Sequence, residues 1–313
     1  MKELCAGVDL GGTTVKLGLF KTRGEVIEKW EIPTDKSEMG SHILPDIAKS
    51  LEEKMKERGI LRDQMEGVGL CVPGPVRPDG SVSGCVNIGW GEVDVKSQME
   101  SLLSLPVEVG NDANVAALGE MWQGGAKGYD NVLLVTLGTG VGGGLIIGGR
   151  IVAGAHGAGA EIGHLTIEPD EKEFCNCGRP GCLEYYTSAT GAVRLAKRRM
   201  EAEDTPSSLR EKENLTAKDV FDAAKEEDAL ALAVEKEYWD RLGYGLSIIC
   251  TVCDPAVIVF GGGVSRVGDR LTEGVRAAFR KYAFPACRET RFALATLGND
   301  AGIFGCARMV CGG

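Results

Sequence analysis

The sequence predicts an α/β protein of two lobes flanking a cleft, and three observations predict it. Short apolar strands alternate with segments of helical spacing along the 313 residues. Three of those strands run into glycine-rich turns: DLGGTT at Asp9 to Thr14, TLGTGVGGG from Thr136, and VFGGGVS ending at Ser265. The pattern of strand, Gly/Thr turn and strand seen at the start returns after Asn131, as a weak internal duplication would. The length suits two domains of about 150 residues each.

The elements follow in order. Leu4 to Leu10, Val15 to Phe20 and Glu25 to Ile32 read as strands. Ser41 to Arg58 carries Ile43, Ile47, Leu51 and Met55 on one helical stripe. Val68 to Val72 is a strand broken by Pro73-Gly74-Pro75, Val107 to Gly110 is a short strand, and a helix runs from Asn111 to about Trp122. Asn131 to Leu137 and Leu145 to Ile147 are strands either side of the second glycine turn. Helices are expected at Thr190 to Met200, at Thr216 to Lys225 with Thr216 and Asp219 as a capping box, and from Ala229 to Cys253, stopped by Asp254-Pro255. Ala256 to Phe260 and Phe292 to Thr296 are strands, and a last helix starts at Ala301. Glu201 to Asn214 is polar enough to read as an exposed loop.

Composition excludes several classes. A net charge of −10 argues against a nucleic-acid surface, though ATP remains open because backbone N–H groups and Mg²⁺ can hold it. No run of 18 apolar residues suggests a membrane span, and MKELCAGVDL reads as a strand rather than a signal peptide, so the cytoplasm is the expected compartment. Eleven cysteines, an odd number, do not suggest a disulfide framework. Cys250 and Cys253 lie in an apolar helical run and read as core thiols.

Glycine lets the backbone approach a ligand, and successive N–H groups with Thr hydroxyls make a cradle for anionic oxygens. None of the three turns fits GxxxxGK[ST], and no GxGxxG opens a helix after a strand, so the phosphate site is of another kind. Asp9 ends the first strand, where a carboxylate suits Mg²⁺. Cys175, Cys177 and Cys182 form C-x-C-x4-C, and three thiolates need a fourth ligand to close a tetrahedral site. His164 is the nearest histidine, with His156 next; a redox pair and plain reduced thiols are the other readings. Asn111-Asp112 reads either as a helix N-cap or as a general base that takes the proton of an attacking hydroxyl. Glu161, His164 and Glu184 flank the cysteine loop and suit sugar hydroxyls, against a reading as solvated surface.

DLGGTTVK, TLGTGVGGG and VIVFGGGVS resemble the two phosphate motifs and the adenosine motif of the actin and hexokinase superfamily. LGTGVGGGLIIGGRIVAGAHGAGAEIGH, Leu137 to His164, resembles the ROK family (repressors, open reading frames, kinases) specifically. VPGPV, NIGW and NDANVAALGE match as well, and CNCGRPGCLE followed by TSATGAVRLA is similar to the ATP-dependent glucokinases of that family. The resemblance covers essentially the whole chain.

It implies two ribonuclease-H-like lobes around an active-site cleft: residues 1–114, with a C-terminal helix 301–313 packing back on them, and residues 115–300, with a zinc loop at 164–182. It implies transfer of phosphate from ATP to the 6-hydroxyl of a hexose, glucose first, with N-acetylmannosamine, N-acetylglucosamine and fructose as alternatives. Asp112 would be the catalytic base, and Asn87, Asn111, Asp112, Glu161, His164 and Glu184 would hold the sugar. Asp9, Gly11, Gly12, Thr13, Thr14, Lys16, Gly138, Thr139, Gly140, Gly262 and Gly263 would serve ATP and Mg²⁺. His164, Cys175, Cys177 and Cys182 would bind one structural Zn²⁺, with the second ring nitrogen of His164 on the sugar. Tyr185-Tyr186 stands where smaller residues often occur, a difference expected to tune the sugar end of the cleft. A sugar-responsive repressor of the family would carry a helix-turn-helix ahead of Asp9, where eight residues leave no room for one. The expected partners are the hexose and ATP, with no nucleic acid and no membrane, and a homodimer or homotetramer is the expected assembly.

Overall fold

Along the chain of the computed structural model the strands are β1 (Leu4–Leu10), β2 (Thr14–Lys21), β3 (Val26–Pro33), β4 (Met65–Val72), β5 (Ser81–Ser83), β6 (Glu92–Asp94), β7 (Val107–Asn111), β8 (Val132–Leu137), β9 (Val141–Ile147), β10 (Arg150–Ile151), β11 (Val257–Gly261) and β12 (Arg291–Leu294). The helices are α1 (Ile43–Glu57), α2 (Val95–Leu103), α3 (Asp112–Gln123), α4 (Leu183–Thr187), α5 (Ala189–Ala202), α6 (Ala217–Lys225), α7 (Ala229–Cys253), α8 (Asp269–Tyr282) and α9 (Ala301–Cys311). The structure describes residues 2–311; Gly312 and Gly313, the end of the expected last helix, lie outside the described residues. Among the described residues no helix is long and apolar enough to cross a membrane.

The chain divides into two units: one holds the residues up to Asp130, Gly144–Gly159 and those from Thr296 on; the other holds Asn131–Gly143 and Ala160–Ala295. The expected break after residue 114 falls inside α3, which packs along α9 and therefore stays with the first unit.

In the first unit a five-stranded sheet runs β3-β2-β1-β4-β7, with β1, β4 and β7 parallel and β2 and β3 antiparallel. The side chains of β1 alternate as a strand must. Ala6, Val8 and Leu10 meet Ile43, Ile47 and Leu51 of α1, while Cys5 meets Ile303 and Ala307 of α9. Both faces are thus covered, which is why β4 is apolar almost throughout. Each fully buried Ile or Leu in this layer contributes roughly 1.5–3 kcal/mol. Gly7 and Gly69 face α9 at positions where a Cβ would overlap the backbone of Ile303 and Cys306, so the helix rests directly on the sheet.

The second sheet, β10-β9-β8-β11-β12, repeats this order, with β8, β11 and β12 parallel. Its end strands continue into the first unit, since β9 passes between units at Gly144. The glycines 142–144, expected as part of a turn, belong to β9, and the turn itself is only Gly138-Thr139-Gly140. β12 stops at Leu294, two residues early, because the Thr296 and Leu297 N–H groups go instead to the carboxylate of Glu120. The capping box of α6 forms as expected, with Thr216 and Asp219 exchanging bonds of 3.2 and 3.0 Å. The 201–214 segment is not a free loop. Leu209 is buried, and Asp228 accepts from Ser207 and Ser208.

Candidate active site

Three strand ends gather the candidate residues of the first unit. Pairing puts Asp9 beside Cys71 and Val72 beside Asn111, so β1, β4 and β7 end together. The carboxyl ends of parallel strands are where α/β sheets bind ligands. Asp9 is half-buried, and its Oδ1 lies 3.3 Å from the Cys71 thiol. Burial raises its pKa against the opposing influence of that thiol and of Lys16. Gly302 at the start of α9 leaves the space that the Asp9 carboxylate occupies. The turn after Asp9 is held by Gly11 N–H to Thr14 O at 3.1 Å, by Thr34 Oγ1 to Gly11 O at 2.7 Å and by Thr34 N–H to Thr13 O at 2.9 Å. Gly12 faces the backbone of Asn87, whose side chain is exposed. Lys16 directs its ammonium to Asn299 O at 2.9 Å.

At Asn111-Asp112 the helix-cap reading falls on the first residue. Asn111 is the N-cap: its Oδ1 accepts from the Ala113 and Asn114 N–H groups, and its Nδ2 donates to Gly74 O at 3.2 Å. Asp112 is the first residue of α3 and is exposed, with Oδ1 2.8 Å from the Ala113 N–H. A helix N-terminus favours a negative charge at that position. The same charge contributes to raising the pKa of Cys85, which burial raises more.

In the second unit β8 and β11 also end side by side, Thr136 pairing with Gly261. The turns after them, Gly138-Thr139-Gly140 and Gly262-Gly263, are therefore neighbours; Gly262, at φ 81°, packs on the backbone of Leu137. The start of α5 holds the first turn: the Ala189 N–H donates to Gly138 O at 2.8 Å and Thr190 Oγ1 to Thr139 O at 3.0 Å. Glu184, half-buried on α4, accepts the Val141 N–H at 2.9 Å. Its other oxygen lies 3.5 Å from Cys175 Sγ.

The ligand atoms of His164, Cys175, Cys177 and Cys182 all lie within 4.8 Å of one another. His164 Nδ1 is 3.8 Å from Cys175 Sγ, and the Cys177 and Cys182 sulfurs are 3.6 Å apart. Zn–S bonds of about 2.3 Å set tetrahedral S···S edges near 3.8 Å, so the donors fit a four-coordinate ion with no open position. Hydrogen bonds, the Arg179 backbone N–H first, lower the Cys177 thiol to about 6, whereas burial pushes Cys182 up to about 12. Nδ1 is the ring nitrogen turned toward the thiols. Arg179 also donates to His164 O at 2.8 Å. Glu161, exposed, precedes the short turn Ile162–His164 and accepts the His164 N–H on its carbonyl. His156 is not among the four, and His42 sits one residue before α1.

The Tyr185 and Tyr186 hydroxyls donate to Glu173 and Glu171 at 2.6 Å and hold the cysteine loop. Arg198 completes this clasp with two bonds to Glu171 and one to Glu173, while Arg194 stacks 3.8 Å from the Tyr185 ring. Arg198 holds the nearly buried Glu171 carboxyl well below the usual range. Sequence reasoning missed Arg198, Thr34, Glu120 and Gly302. The last two lie in runs of ordinary helix formers, and nothing in their spacing signals a role.

A family model for the ROK family matches residues 5–312. A glucokinase of Halalkalibacterium halodurans is 44% identical over 304 residues, covering 96% of this chain and 92% of that protein. The crystal structure of a ROK hexokinase from Thermus thermophilus superposes with a TM-score of 0.82 at 31% identity, over 97% of this chain and 96% of that one. A ROK family glucokinase from Streptomyces griseus, solved in complex with glucose and AMPPNP, gives a TM-score of 0.73 at 32% identity over 98% of each chain. Together with the strand order and the glycine turns, these matches show that the chain belongs to the ROK family.

Proposed function

We propose that the protein phosphorylates glucose at its 6-hydroxyl with ATP, giving glucose 6-phosphate and ADP. The observation that carries the reading is the pair at the end of β7. Asn111 takes the capping role, and the adjacent exposed carboxylate, Asp112, stands at the helix N-terminus beside the ends of β1, β4 and β7. The 44% identity to a glucokinase and the likeness to a glucokinase crystallised with glucose and AMPPNP support glucose as acceptor and ATP as donor.

In this mechanism Asp112 accepts the 6-hydroxyl proton as that oxygen attacks the γ-phosphorus, and the O–P bond to ADP breaks in line. Asn87, Asn111, Glu161, His164 and Glu184 orient the remaining hydroxyls, so most of the rate comes from positioning. The amides and hydroxyls of Gly11 to Thr14 and of Gly138 to Gly140 bind the phosphates, with Lys16 beside them, and Gly262 and Gly263 lie against the adenosine. Asp9 would hold the Mg²⁺ that accompanies ATP, an ion that would offset the phosphate charge. His164, Cys175, Cys177 and Cys182 would hold one structural Zn²⁺, and His164, bound through Nδ1, would keep Nε2 for the sugar. The protein works in the cytoplasm as a homodimer or homotetramer, which light scattering at working concentration would establish. The test is a panel of glucose, fructose, mannose and N-acetylated hexosamines with ATP. The reading expects the highest kcat/KM on glucose. A higher value on an acetylated hexosamine would replace glucose as the acceptor, and no transfer to any hexose would overturn the reading.

A further inference from the structure

We infer that Glu184 is a positioning residue for the phosphate turn as well as a sugar ligand, and so couples acceptor and nucleotide binding. This rests on the proposed function and deepens it. Glu184 Oε2 accepts the Val141 N–H at 2.9 Å, which fixes the peptide that follows Gly140. Gly140 carries no side chain at the spot where a Cβ would overlap that carboxylate. The two residues before it are tied to the same corner of the molecule, Gly138 through Ala189 and Thr139 through Thr190. Every peptide of the turn thus hangs on residues 184–190, and the Glu184 link alone runs through a carboxylate. A carboxylate offers about four acceptor sites, so one oxygen can serve Val141 while the other meets a sugar hydroxyl. A hydroxyl that immobilises the carboxylate immobilises the Val141 peptide with it. The ordering entropy is then met once for both ligands, which makes their affinities reciprocal.

The experiment is equilibrium binding of a non-hydrolysable ATP analogue with Mg²⁺ to sugar-free protein, wild type against Glu184→Ala and Glu184→Gln. A ligand acting on sugar alone would leave this affinity unchanged. The expected result is a loss of roughly fivefold to tenfold in the alanine variant, the size of one ordinary hydrogen bond. Glutamine, which retains an acceptor oxygen, should stay within about twofold of wild type while still losing glucose affinity. As a measurement without variants, saturating glucose should slow hydrogen exchange in a peptide containing residues 138–141. Unchanged analogue affinity in Glu184→Ala, or unchanged exchange with glucose bound, overturns the inference while leaving the kinase reading intact. Wild-type protein that binds neither glucose nor analogue overturns both.

Discussion

The two glycine turns invite comparison, because the two sheets share one strand order and the turns occupy the same place in it. In the first, the strand ends in its own carboxylate, Asp9, and the turn is braced by Thr34 from the next strand crossing. In the second, the position of Asp9 is taken by Thr136, and the carboxylate arrives from Glu184, some 40 residues on, beside the cysteine cluster. One topology thus takes two chemistries. The first unit carries the ionisable groups proposed for proton transfer and Mg²⁺ binding, and in the second the carboxylate proposed for the sugar also holds the turn in place.

The predictions test that division, from the largest effect to the smallest. Asp112→Asn should lower kcat by roughly 10²–10⁴-fold, the span of general-base catalysis, while calorimetry finds glucose affinity largely kept. Retained turnover would remove the proton-transfer role from the first unit. Cys177→Ala, or removal of metal by a strong chelator, should abolish the one equivalent of zinc expected per chain and impair folding of the cysteine loop, measurable by metal analysis and thermal melting. Protein isolated without zinc and equally stable would contradict this. Arg198→Met should cost about 1–3 kcal/mol after allowance for its partial exposure, and should raise the KM for glucose more than that for ATP. The clasp also has a pH signature. The Glu171 carboxyl is depressed by Arg198, so its stabilisation is complete above the ordinary glutamate range and fades as pH falls below it. The smallest effect is at a helix cap. Asp219→Ala should cost about 1 kcal/mol. With the folded carboxyl lowered to about 2 by Thr216 and Lys212, that contribution is present above pH ~4 and disappears as pH falls through 2.

What the sequence made legible follows from the range of each interaction. Turns and thiol ligands are local: glycine after an apolar strand, and three cysteines within eight positions, announce themselves. α1, α3, α6 and α7 were legible from periodicity and caps. α2 and α8 carried the same signal, in Val95, Met99 and Leu103 and in Leu271, Val275 and Phe279, and could have been read from it. The hairpin of β5 and β6 has three residues per strand and no period to detect. Long-range polar partners were not legible. Glu120 is buried in an alanine-rich helix because Gly125, Thr296 and Leu297 supply it with N–H donors, two of them about 176 residues away. The partners of the tyrosines after Glu184 were not legible for the same reason, since they lie on a loop that only the fold brings near.

The most direct measurement is a crystal structure with glucose and a non-hydrolysable ATP analogue bound. The account predicts an Asp112 carboxylate oxygen within about 2.6–3.2 Å of the glucose 6-hydroxyl. A 6-hydroxyl contacted by some other side chain, with Asp112 out of hydrogen-bonding reach, would contradict it.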